Sequence, residues 1–273
     1  MPELDPRVRT FRELHRSGCF TIPNPWDAGS AYVLQQLGFP ALATTSAGFA
    51  WSLGRRDNGV TLDEMLAHLS SVTASVTVPV NADFERGFAI EPSEVAANVT
   101  KAIATGVAGL SIEDSTHEPE HPLFEFELAA ERVRAARHAI DESGTGVVLT
   151  GRSEGFVEGR PDLGETIRRL TAYAEAGAEC LYAPGIRSIA DVATLVREVA
   201  PLPVNALALA DLESVTRLAD VGVRRVSVGG ALARAAWTGF LEAARELAEA
   251  GTFGGTARAV AGSEMNAIFA AND

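Results

Sequence analysis

The stretch Val80-Asn81-Ala82-Asp83-Phe84-Glu85-Arg86-Gly87-Phe88 decides how this chain is read. Its apolar residues stop where Asp83 and Glu85 begin and Gly87 follows at once, so a buried strand runs straight into a loop bearing carboxylates. Barrel enzymes place their chemistry at that carboxyl edge of a parallel strand.

Working outward, the same grammar recurs about eight times. The predicted strands are Phe20-Pro23, Ala41-Thr44, Pro79-Ala82, Gly109-Ile112, Gly146-Thr150, Cys180-Ala183, Pro203-Asn205 and Arg225-Val228. Helical periodicity fills the intervals: Ala28-Leu37, Leu62-Val76, Pro92-Thr105, Glu127-Asp141, Leu163-Ala176, Ile189-Val199, Leu212-Asp220 and Ala231-Glu249. Strict alternation predicts a parallel sheet covered by helices. Eight strands suit a closed α/β (β/α)8 TIM barrel better than an open sheet, and no Gly-x-Gly-x-x-Gly or phosphate loop follows any of them. Gly38, Gly106, Gly177 and Gly222 stand between a helix and the next strand, where a left-handed residue closes the helix. Residues 253–271 read as a further amphipathic helix, and the segment 231–273 as the part used in oligomerisation.

With 273 residues, 47% of them apolar, and no Pro/Ser-rich linker, one barrel domain over 1–273 is expected. A formal charge of −13 excludes the basic footprint of a nucleic-acid binder and disfavours an anionic membrane surface. No apolar run reaches the roughly 18 residues of a membrane span and none resembles a secretory signal, so the expectation is a soluble cytoplasmic protein. Cys19 and Cys180, isolated in apolar surroundings, read as free buried thiols.

The residues after each strand, taken together, form the candidate site. They are Thr45-Ser46-Ala47-Gly48-Phe49 and then Asp57, next Asp83 and Glu85, next Glu113 and Asp114, then Arg152 and Glu154, and finally Asn205. Carboxylates on neighbouring loops repel one another unless a cation lies between them, and hard oxygen donors without thiols suit Mg2+. Such an ion chelates a 2-oxo acid and stabilises an enolate. Arg152 has the planar fork that holds a substrate carboxylate, or else it forms a plain ion pair with Asp114 or Glu154. Small residues at Ser46-Ala47-Gly48 let backbone N–H groups approach an oxyanion. Asn205 reads equally as a ligand or as a satisfied loop amide.

In order along the chain stand Pro23-Asn24-Pro25-Trp26-Asp27-Ala28, Thr45-Ser46-Ala47-Gly48, Gly54-Arg55-Arg56-Asp57, Asn81-Ala82-Asp83, Ser111-Ile112-Glu113-Asp114 and Gly151-Arg152-Ser153-Glu154. On these fragments the chain resembles the isocitrate lyase and phosphoenolpyruvate mutase superfamily from about Phe11 onward. The resemblance implies a Mg2+-dependent barrel acting on small 2-oxo or 2-hydroxy carboxylates through an enolate. It also implies a homotetramer, a dimer of dimers that exchange the helix after the eighth strand. It assigns Asp57, Asp83 and Glu113 to a metal site reached mostly through water, Ser46, Ala47 and Gly48 to substrate-gripping amides, Arg152 to the substrate carboxylate and Asn205 to the pocket.

Two departures shape the functional expectation. The family's Asp-Ala-Asp aligns with Asn81-Ala82-Asp83, so Asn81 would ligate the metal through its carbonyl with Glu85 supplying the missing charge. The loop after the fourth strand, Ser115-Thr116-His117-Glu118-Pro119-Glu120-His121-Pro122, carries neither the lyases' Lys-Lys/Arg-Cys-Gly-His nor the mutases' lysines. His117 and His121 are then the candidate acids beside Glu113 and Arg152. The expected activity is a Mg2+-dependent carbon–carbon lyase on a small 2-oxo or 2-hydroxy di- or tricarboxylate, resembling oxaloacetate or methylisocitrate. The alternatives are a phosphonopyruvate or phosphoenolpyruvate mutase or hydrolase, and a 2-oxo acid binder with little catalysis.

Overall fold

In the computed structural model, which describes residues 4–270, eight short parallel strands form one sheet. They are β1 (Phe20–Ile22), β2 (Leu42–Ala43), β3 (Val80–Asp83), β4 (Gly109–Glu113), β5 (Val148–Arg152), β6 (Cys180–Tyr182), β7 (Val204–Leu207) and β8 (Arg225–Ser227). Each pairs with its sequence neighbour from β2 through β8, and β8 pairs with β1. The remaining seam is drawn together by the Ala43 N–H donating to Pro23 O at 3.1 Å, which brings the sheet round to a (β/α)8 barrel. Outside it lie α1 (Pro6–Leu14), α2 (Ala28–Gln36), α3 (Ser46–Ser52), α4 (Leu62–Ala74), α5 (Pro92–Ile103), α6 (Phe126–Ser143), α7 (Leu163–Glu175), α8 (Ile189–Glu198), α9 (Val215–Asp220), α10 (Ala231–Ala250) and α11 (Gly262–Phe269).

The predicted strands are all present, several of them shifted toward the carboxyl edge. β5 begins at Val148 rather than Gly146 and ends on Arg152, while β7 extends to Leu207, which puts Asn205 inside the strand instead of at its end. The four helix-closing glycines all take positive φ, between 85° and 102°. Two helices go beyond the sequence expectation. In α1, Asp5 caps through its carboxylate and Pro6 opens the first turn, a pairing the Asp-Pro dipeptide allows. In α3, Thr45 is the N-cap, so Ser46-Ala47-Gly48 is a helical first turn rather than a loop. The tail is corrected as well: 253–271 is not one helix, because Gly254–Thr256 forms a 3-10 turn and α11 starts only at Gly262. Ala271 lies outside the described residues. Phe269 of α11 packs on Tyr32 of α2 with ring centroids 5.7 Å apart.

The core lies between strands and helices, with Phe11, Ile22, Leu110, Leu149 and Tyr173 fully buried in it. Arg132 of α6 is also fully buried; it donates to the carbonyls of Arg86, Ala89 and Ile90 and lies 4.0 Å from the Phe124 ring centroid. Those bonds pin the loop that follows β3. Both cysteines are free, Cys180 buried and Cys19 half-buried. Among the described residues no helix is long and apolar enough to cross a membrane.

Asn24 laces the barrel seam at its catalytic edge. Its Oδ1 accepts the N–H groups of Val228 and Gly229, both at 2.9 Å, and its Nδ2 donates to Thr44 O at 2.9 Å. Replacing it with alanine leaves two half-buried backbone donors and one buried acceptor unpaired, so Asn24→Ala is expected to cost about 2–4 kcal/mol of stability. Urea unfolding measures this, and an unchanged midpoint would contradict the role.

Candidate active site

The carboxyl edge of the barrel opens into a cavity of about 280 Å3 whose wall includes Ser46, Ala47, Asp57, Asn81, Asp83, Arg152 and Asn205. Arg152, the last residue of β5, is its hub. Its Nη1 reaches Asp83 Oδ1 at 2.9 Å and Glu113 Oε2 at 3.2 Å, and its Nε donates to Glu154 Oε1. Strand register explains the convergence: Glu113 stands directly beside Arg152, and Asp83 is the end of the next strand but one. Asp83 is held from the other side, its Oδ2 accepting the Ser46 N–H at 2.9 Å and the Ser46 Oγ–H at 2.8 Å.

Of the two structural partners proposed for Arg152, the structure selects Glu154. Asp114 turns away into a separate buried cluster, where Oδ2 accepts from Tyr173 Oη at 2.6 Å and Arg169 Nη1 at 3.2 Å while Oδ1 accepts the Glu154 N–H at 2.7 Å. That cluster fixes the backbone that presents Glu154.

One guanidinium faces more negative charge than it can balance. Burial, and then the charges of Asp83, Glu113 and Asp57, push Glu85 up to about 9. Burial and the charge of Asp83 likewise raise Asp57. Burial raises Glu154 despite its pairing with Arg152. For Glu113 burial is outweighed by Arg152 and by a hydrogen bond from His117, which leave it below its ordinary value. Glu85 also carries a buried Oε1 with no hydrogen-bond partner and a φ of 48°, a conformation that costs a non-glycine residue about 1–3 kcal/mol. An orphaned carboxylate oxygen among raised acids is what a site for a hard divalent cation looks like without the ion, so the donor set fits Mg2+. Among the described residues no three His, Cys, Asp or Glu side chains already close into a coordination shell. A cation there would keep several of its waters, as Mg2+ usually does.

The predicted site residues separate by depth. Glu113 and Glu85 are buried just behind the wall. Asn81 sits one layer beneath Asp83, its Oδ1 buried without a hydrogen-bond partner in the space left by Gly109, where a Cβ would lie 2.7 Å from that oxygen. Asn81 and Asp83, two residues apart on β3, both line the cavity, while Glu85 lies buried beyond the strand end with its own unpartnered oxygen. Gly48 is a packing residue, since a Cβ there would meet Thr45 Cγ2 at 2.7 Å and Trp26 Cβ at 2.9 Å. The Ser46 N–H is directed to Asp83 at 2.9 Å and the Gly48 N–H to Thr45 Oγ1 at 3.3 Å. The two histidines divide sharply. His117 turns inward at φ 60° with Nε2 2.9 Å from Glu113 Oε1, whereas His121 is exposed.

Sequence reasoning missed Tyr182, Ser227, Arg225, Trp51 and Arg234, which also line the cavity. Tyr182 was findable as the final residue of its strand; burial pushes its hydroxyl up to about 12, and the Arg152 guanidinium carbon lies 5.2 Å from its ring centroid. Trp51 and Arg234 sit on helices whose angle to the cavity no local pattern reveals.

The family profile described as phosphoenolpyruvate phosphomutase matches residues 11–248. A solved structure from Burkholderia cenocepacia J2315, assigned only provisionally as a lyase/mutase, superposes with a TM-score of 0.94 at 46% identity over 98% of this chain and 97% of that one. Oxaloacetate acetylhydrolase in complex with its product oxalate superposes with a TM-score of 0.85 at 25% identity, over 96% and 93% of the two chains. Oxaloacetate decarboxylase 2 of Pseudomonas fluorescens (strain Pf0-1) is 30% identical over 256 residues, covering 90% of this chain and 85% of that protein. With the barrel and its acidic strand mouths already in place, the match over residues 11–248 settles the lineage: the chain belongs to the phosphoenolpyruvate phosphomutase family, among the lyases and mutases of the isocitrate lyase/phosphoenolpyruvate mutase superfamily.

Proposed function

We propose that this enzyme is a Mg2+-dependent lyase that breaks a carbon–carbon bond in a small 2-oxo or 2-hydroxy di- or tricarboxylate, by decarboxylation or retro-aldol cleavage through an enolate. The observation that carries the reading is Arg152 held between Asp83 and Glu113 at the wall of a cavity of about 280 Å3, a size for a few carbon atoms rather than a large ligand. The relatives named for oxaloacetate chemistry support it.

Asp83, Glu85, Glu113 and Asp57 are the residues that would hold the cation, with the unpartnered Asn81 Oδ1 one layer beneath Asp83. Bound Mg2+ would supply Lewis-acid polarisation of the 2-oxo group. Ser46 fixes the direction of the Asp83 carboxylate. Arg152 takes the substrate carboxylate through its planar fork, with Tyr182 supporting the guanidinium from its ring face. Buried Glu113 and half-buried His117 form a hydrogen-bonded pair behind Arg152, and we assign to it the proton that the product carbanion takes up. His121, exposed on the outer loop, receives no role.

We also propose self-association through α10, in accord with the expected helix-exchanged tetramer. Along this helix Phe240 and Leu247 are more than half exposed, and only Ala233 is buried. Light scattering coupled to size exclusion tests this, and a monomer at micromolar concentration would contradict it.

A panel of oxaloacetate, methylisocitrate, isocitrate and phosphonopyruvate, with and without Mg2+, tests the activity. Pyruvate or glyoxylate from one of the carboxylic acids, only with the metal, is expected; an inert panel, or turnover of phosphonopyruvate alone, would overturn the reading. Arg152→Lys keeps the charge and loses the fork, so kcat/KM on the active substrate should fall on the order of 100-fold or more.

Stability should respond to pH through Glu85. Its folded pKa of about 9 exceeds the ordinary carboxyl value of 4.5, so the folded state holds a proton that the unfolded state releases between those values. Stability therefore falls as pH rises through that window, by at most about 1.4 kcal/mol per unit. Glu85→Gln, or added Mg2+, should flatten the slope in thermal unfolding followed from pH 5 to 9, and an unaltered slope in both would count against this account.

A further inference from the structure

The floor of the cavity holds a guanidinium that pairs with no carboxylate among the described residues. Arg225, the first residue of β8, is 3% exposed and contributes to the cavity lining. Its Nε donates to Asn205 Oδ1 at 2.9 Å, its Nη2 donates to Thr150 Oγ1 at 3.1 Å, and its Nη1 lies 3.3 Å from His15 Nε2. Burial, and then the Arg225 charge, push His15 down to about 3, so its ring is neutral and accepts that bond. All three partners are uncharged, and among the described residues no carboxylate pairs with Arg225.

The buried Arg132 and Arg169 and the half-buried Arg152 are treated differently. Arg152 and Arg169 face carboxylates, and Arg132 is capped by three carbonyls. An uncompensated buried cation is costly, by several kcal/mol for an isolated ion, and persists where something else supplies the opposite charge. A guanidinium has five N–H donors, and three of the Arg225 nitrogens' bonds go to neutral groups. Beside it Asn205 donates through Nδ2 to Ser227 Oγ at 3.0 Å, and both residues line the cavity. The acids, by contrast, gather at the mouths of β3 to β5, so the cavity is negative on one side and positive at its floor.

We propose that Arg225, positioned by Asn205 and Thr150, is the specificity-determining anchor for the distal carboxylate of the substrate, so that the enzyme selects 2-oxo dicarboxylates over 2-oxo monocarboxylates of equal length. This rests on the lyase reading only in that the 2-oxo carboxylate end occupies the Arg152 side. Arg225 thus sets which acid is accepted, while the acids around Arg152 set what is done to it.

Binding calorimetry in the presence of Mg2+ tests the anchor with three probes: oxalate, 2-oxoglutarate and the length-matched monocarboxylate 2-oxopentanoate. The native protein should bind 2-oxoglutarate about 30-fold tighter than 2-oxopentanoate, as expected for a charge-assisted bond in a desolvated site. Arg225→Gln should bring the two within about threefold while leaving oxalate binding unchanged. Asn205→Asp, which gives Arg225 an internal partner, should erase the same discrimination and raise the melting temperature, so the proposal stays testable if Arg225→Gln does not fold. Oxalate binding without discrimination in the native protein, or discrimination retained in either variant, overturns the anchor alone. Failure of the native protein to bind oxalate counts against both the anchor and the lyase reading.

Discussion

One guanidinium set among three carboxylates, two of them buried, is the constraint on which the rest of this site depends. Arg152 meets Asp83, Glu113 and Glu154 at once, with Glu85 and Asp57 adding negative charge nearby. Such an arrangement does not assemble by mutual attraction alone, because the acids also repel one another. It is imposed by surrounding structure: the Ser46 bonds to Asp83, the Asp114–Arg169–Tyr173 cluster under Glu154, and the three carbonyls that Arg132 gathers behind Glu85. The barrel thus spends stability at its carboxyl edge to keep acids where water alone would not hold them.

That edge is electrically divided. The strands β3 to β5 deliver carboxylates, and β6 to β8 deliver Tyr182, Asn205, Ser227 and Arg225. A small anionic substrate lying across the cavity would meet metal-competent acids at one end and neutral or cationic donors at the other, which orients it without any moving part. The tight helix α3 sets the third side. Its Thr45 cap and close-packed Gly48 fix where Ser46 stands, and Ser46 fixes Asp83.

Much of this was legible in the chain. The eight strands, the glycines that close four helices and the acids at the ends of the third and fourth strands follow from local rules of period and backbone conformation, and the structure bears them out. Depth was not legible. Asn81 and Asp83 share one face of β3 and both line the cavity, and no local pattern says that the Asn81 oxygen is buried in the space left by Gly109; the register with Gly109 and Ser111 of β4 decides it. His117 and His121 stand four residues apart in one polar loop, yet one turns in to Glu113 and the other faces solvent. The Ser46-Ala47-Gly48 segment read as loop because seven residues of helix give too short a period to detect.

The sequence by itself determined the fold, the family resemblance and the list of acids, since alternation, capping and motif order are written residue by residue. Only the tertiary structure decided which acids face Arg152, that Glu85 is buried with an unpartnered oxygen, and that Arg225 lies buried with no carboxylate paired to it among the described residues. The physical reason is that charge balance is a property of the space enclosed by eight strands, and the register between strands sets that space.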